Sequence, residues 1–109
     1  MAYDEALAAR IRSLLAGEDA LVEKKMFGGL AFLIEGNMSV SASGNGGVLV
    51  HVDPAEGERL IATTAAVPMV MRGREMAGWL RIDEGLESDE ELASWVRRGV
   101  DYAHTLPPK

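Results

Sequence analysis

A chain of 109 residues has room for one domain with a core of its own and not for two. Hydrophobic residues make up 48% and charged residues 26%, a soluble globular balance, and the absence of cysteine excludes disulfides, thiolate metal sites and a thiol nucleophile. The formal charge of −6 argues against direct DNA binding, because a dedicated nucleic-acid binder draws most of its affinity from neutralising phosphates.

The N-terminus, Met1-Ala2-Tyr3-Asp4-Glu5, is acidic and lacks the basic and apolar regions of a secretory signal. No uncharged stretch is both long and apolar enough to cross a bilayer. A cytoplasmic location, without membrane contact, is the expectation.

The first element reads as a helix. Leu7, Ile11, Leu14 and Leu15 recur at spacings of three and four, Asp4 can cap the start and Gly17 can end it. From Val22 the period changes to two. Leu30, Phe32 and Ile34 form a strand, Gly36-Asn37 offers turn chemistry, and Met38, Val40 and Ala42 form the next strand. Residues 44–47, Gly-Asn-Gly-Gly, make a second turn before Val48, Val50 and Val52. Turns this short join antiparallel neighbours.

Asp53-Pro54-Ala55-Glu56 opens a second helix, with an acceptor at the cap and proline at the first helical position. That helix is expected to end before Val67-Pro68. Residues 69–72 and 78–82 read as a hairpin around Gly73-Arg74-Glu75. Ser88-Asp89-Glu90-Glu91 starts a last helix with the apolar face Leu92, Trp95, Val96, Val100 and Ala103, closed by Pro107-Pro108. The order α-β-β-β(-β)-α-β-β-α predicts an α+β fold, with an antiparallel sheet of five to six strands and three helices. Residues 30–34 and 48–52 are apolar on both faces, so the sheet needs cover on both sides, from its helices or from a second copy in a homodimer.

Little in the chain points to catalysis. The 44–47 glycines lead into a strand, whereas a phosphate loop leads into a helix. His51 and His104 lie on different elements with no ligand spacing, so neither a metal nor a cofactor is expected. His51 reads as a packed or surface residue, and His104 suits the C-terminal end of its helix. No serine stands in a nucleophile elbow. Asp83, Glu84, Glu87, Asp89, Glu90 and Glu91 crowd one helix start, where the macrodipole favours them. Gly28-Gly29 marks a chain bend, or a close backbone approach bordering a pocket. Met26, Met38, Met69, Met71 and Met76 fall in or beside strands, where filling the core is their expected use. The candidate partner-binding cluster is Arg72, Arg74, Trp79 and Arg81, in which Trp79 and Arg81 share a strand face.

Lys24-Lys25-Met26-Phe27-Gly28-Gly29-Leu30-Ala31-Phe32, followed by Gly36-Asn37-Met38, resembles the TfoX N-terminal domain family, named for bacterial regulators of DNA-uptake competence. The resemblance continues at Gly73-Arg74-Glu75-Met76-Ala77-Gly78-Trp79, at Trp95-Val96 with Gly99, and at Leu106-Pro107-Pro108-Lys109. It implies one α+β domain over residues 1–109, a bacterial cytoplasmic protein, and a mainly structural part for the motif residues. The family's full-length regulators carry a second domain, for which this chain is too short. Short members often have a cysteine after the Gly-Asn-Met turn and an arginine in the next strand, where Ser39 or a neighbour, and His51, stand here. The resulting expectation is a non-enzymatic regulatory or protein-interaction domain. A small-molecule-binding protein or small enzyme is the alternative, and a weakly nucleic-acid-binding co-regulator the third.

Overall fold

Side-chain caps set the start of each helix. Asp4 accepts a hydrogen bond from the Leu7 N–H at 3.1 Å and opens α1 (Glu5–Leu14). Asp53 does the same for Ala55 at 2.9 Å in α2 (Pro54–Thr63), and Ser88 for Glu91 at 3.3 Å in α3 (Asp89–Thr105). All three caps are those expected from the sequence. The computed structural model describes residues 3–26, 28–44 and 46–108. Phe27 of the glycine motif, Asn45 of the second turn and residues 1, 2 and 109 lie outside the described residues.

Six strands make one antiparallel sheet: β1 (Leu21–Met26), β2 (Gly29–Ile34), β3 (Asn37–Ala42), β4 (Val48–His51), β5 (Val67–Met71) and β6 (Arg74–Ile82). Their spatial order is β1-β2-β3-β4-β6-β5, so β6 returns between β4 and the edge strand β5. The α+β order holds, with four strands between the first two helices.

Two turns differ in detail from the sequence reading. Glu35-Gly36 and Arg72-Gly73 each place two successive residues at positive φ, 52° and 83° in the first and 54° and 77° in the second. That is the two-residue turn whose twist matches the flanking strands. Asn37 is therefore the first residue of β3, and the second hairpin turns at Arg72-Gly73 and not around Arg74-Glu75. β5 also reaches back over Val67 and Pro68. Proline is tolerated there because β5 is an edge strand, with an irregular register between Pro68 and Met69.

The helices cover one face of the sheet. Leu30, Phe32, Ile34, Val40, Ala42, Val48, Val50, Leu80 and Ile82 form a single cluster with Leu7, Ile11 and Leu15 of the first helical segment, Leu60 of α2, and Leu92, Trp95, Val96 and Val100 of α3. The approach of α3 is close. A Cβ on Gly99 would collide with the Ser39 carbonyl oxygen and lie 2.9 Å from its carbon. Gly29 is equally constrained, since a Cβ there would collide with the Ala42 carbonyl oxygen. The close backbone approach falls at Gly29 and is made by the end of β3 and the residues after it, while a Cβ on Gly28 would meet nothing within 4 Å.

A bulge decides what faces away from the helices. Phe32 pairs with Val40, but Leu33 pairs with Met38, so Ser39 is one residue too many in β3. Simple alternation would put Met38 on the core side with Val40. The extra residue turns it to the other face, beside Leu33. Ser39 stays buried and donates its hydroxyl to the Phe32 carbonyl oxygen at 2.8 Å.

The expected use of methionine as core filler fails. Met26, Met38, Met69 and Met71 are half-buried, Met76 is exposed, and none joins the core cluster. Three of them lie on the outer hairpin β5–β6, whose strands, among the described residues, pair only with each other beyond Gly78. Met38 owes its place to the bulge.

Candidate functional site

The sheet face turned away from the core cluster carries an open groove of about 620 Å³. Met26, Leu33 and Met38 supply its aliphatic and thioether surface, and His51 and Trp79 supply its aromatic surface. Leu106, Pro107 and Pro108, the segment that leaves α3, line it as well.

Register brings the aromatic pair together. His51 ends β4 directly opposite Trp79 of β6, and cross-strand partners share a face. Their rings stack with centroids 3.9 Å apart and planes 10° from parallel. Tyr102 of α3 meets the His51 ring edge-on at 4.9 Å and 85°. Three elements distant in sequence thus fix one aromatic stack.

Asn37 closes one end of the groove. The residue is only 3% exposed, and its Nδ2 donates to the Pro107 carbonyl oxygen at 2.9 Å. The Glu35-Gly36 turn and the β3 bulge on either side hold it in position. Asn37 reads as a turn residue in the sequence; in the fold it is a fixed donor.

The four candidate binding residues do not form one cluster. Arg72 and Arg74 stand exposed at the far tip of the β5–β6 hairpin. Trp79 stacks on His51 and not on a guanidinium. Arg81 is engaged by the backbone and side chains around it: Nη1 donates to Ser43 Oγ at 3.0 Å, Nη2 to the Gly46 carbonyl at 2.7 Å, and Nε to Asp83 at 3.2 Å. It shares the face of Trp79, as expected, and ties the β3–β4 loop to β6. His51, Leu33 and Tyr102 belong to the groove region, and local spacing gave no sign of their meeting.

A second cavity, of about 520 Å³, lies between the end of α2 and the start of α3. Glu84, Glu87 and Glu91 line it with Thr63, Thr64 and Trp95. Its carboxylates crowd the N-terminal end of α3, where the helix field favours them. Among the described residues, no three His, Asp or Glu side chains converge as a metal site requires. No helix among them is long and apolar enough to cross a membrane.

His104 has a structural partner, its Nε2 lying 2.8 Å from Glu18 Oε1 between the end of α3 and the segment after α1. On the same side, Arg12 Nη2 donates to Glu23 Oε1 at 2.8 Å. This pairing holds the Glu23 carboxyl below its ordinary range, first through the hydrogen bonds and then through the charge of the guanidinium.

The family model for the TfoX N-terminal domain matches residues 13–103. No curated protein matches the chain.

Proposed function

The chain belongs to the TfoX N-terminal domain family, and from the groove on its open sheet face we propose that it is a non-catalytic regulatory module that works by binding another protein. One observation carries this reading: all five described methionines stay out of the core cluster, and two of them, Met26 and Met38, line the groove with Trp79. Methionine pays little in packing precision and adapts to irregular partners, and a tryptophan among such side chains makes a strong anchor. The groove offers contact surface in quantity and few polar groups.

A photo-crosslinking amino acid placed at Met38, with Arg97 on α3 as the control position, tests the reading in the native cell. Adducts with a polypeptide at position 38 and none at position 97 are expected. Equal labelling at the two positions, or none at either, overturns it.

The volume of the groove also suits a small ligand, since such sites run from roughly 300 to 1,000 Å³. Under that second reading, native mass spectrometry finds a bound compound of low mass that Trp79→Ala releases. If the partner is a second copy of the chain, light scattering at micromolar concentration gives twice the monomer mass.

A further inference from the structure

We propose that the groove recognises an extended, proline-containing segment, and that Leu106, Pro107 and Pro108 of the chain are its resident partial occupant. The inference rests on the protein-binding reading above and names the chemistry of the partner.

The resident segment has the conformation such ligands bring. Leu106 leaves α3 at φ −92° and ψ 149°, close to the polyproline II region. A residue before proline is held there sterically, and each proline fixes its own φ. A segment of this kind loses little freedom on docking, which is why proline-rich peptides bind in aromatic-lined grooves.

The groove supplies the two things that recognition of this kind needs. Trp79, His51 and Met38 give apolar surface for pyrrolidine rings. Asn37 gives a buried, positioned amide, which donates to the carbonyl oxygen of Pro107. A carbonyl held by a side-chain donor reads backbone placement, and the apolar wall reads the rings.

The resident segment does not fill the site. About 620 Å³ remains open beside it, bordered by Met26 and Leu33. A longer segment from a partner can take over the Asn37 bond and add contacts along that remaining wall. Because the resident is tethered to α3, it competes at high effective concentration and weakens every ligand that enters in trans.

The experiment is a titration followed by nitrogen–proton correlation spectra, with the synthetic peptide acetyl-Ala-Leu-Pro-Pro-Leu-Pro-amide as the probe. The control peptide has glycine in place of each proline. Three proteins are compared: the full chain, a form lacking residues 107–109, and the full-length double variant Pro107→Gly, Pro108→Gly. At least tenfold tighter binding is expected for the two altered forms than for the full chain, with shifts at the Trp79 indole N–H and the Asn37 side-chain amide. The glycine peptide is expected to bind none of them. Asn37→Asp, isosteric but unable to donate, introduced into the double variant is expected to lose the gain while its melting curve stays cooperative.

Should the shortened form not fold, the double variant decides alone. No gain in either altered form, or equal binding of the glycine peptide, overturns the inference. A chain that crosslinks to protein at position 38 yet ignores the proline peptide in every form loses this inference and keeps the broader function. A chain that fails both tests loses both.

Discussion

The two faces of the sheet come from the same six strands and are built on different principles. On the helix side the fit is set by backbone: Gly99 of α3 rests on the Ser39 peptide, and Phe32 is fully buried. On the open side the surface is made of movable side chains, Met26, Leu33 and Met38 around a His51–Trp79 stack, and the outer hairpin leaves Val70 60% exposed. One face is therefore intolerant of added or lost atoms, and the other can adjust to what it meets. The difference fits the first to stability and, under the proposed function, the second to recognition.

Substitutions on the two sides should separate these roles. Phe32→Ala empties the centre of the covered face and is expected to cost about 3–5 kcal/mol in chemical denaturation. Gly99→Ala adds one methyl where the Ser39 backbone already sits, and should cost about 1–3 kcal/mol by pushing α3 off β3. A fully stable Gly99→Ala protein would mean that the helix does not lie that close. Arg81→Ala removes the hydrogen bonds to Ser43 and Gly46 of the β3–β4 loop and the one to Asp83, and should cost about 1–2 kcal/mol. It should also speed amide exchange at residues 43–47, which a residue used only for partner binding would leave unchanged. Met76→Ser, on the exposed hairpin, should change stability by less than about 0.5 kcal/mol.

The smallest effect is one of pH. The Glu23 carboxyl is held below its ordinary range by Arg12, so the folded state binds its proton less readily than the unfolded chain does. The stabilisation is whole above the ordinary carboxylate range. It declines as pH falls below that range, and is gone once pH is under the lowered value. The pair is largely exposed, so the contribution is small and weakens with salt. Glu23→Gln should flatten that part of the melting-temperature profile; an unchanged acid limb would place the titration elsewhere.

Much of the architecture is legible in local chemistry. Asp4, Asp53 and Ser88 announce helix starts because a cap acts within three residues of itself. The apolar positions of α3 are all buried because the helical period is local too. The candidate site is less legible. Period two puts Arg81 on one strand face with Trp79, and the sequence spacing holds no sign that residues 43 and 46 take up its guanidinium. Methionines in or beside strands read as core filler, and only the bulge at Ser39 turns Met38 outward.

From the chain alone come the one-domain size, the three capped helices, the hairpins and the α+β order, since each depends on neighbours a few residues apart. The pairing of His51 with Trp79 and Tyr102, and of Asn37 with Pro107 seventy residues further on, was settled only when the sheet closed. Strand register and the single-residue bulge set those meetings, and both are consequences of packing the whole core at once.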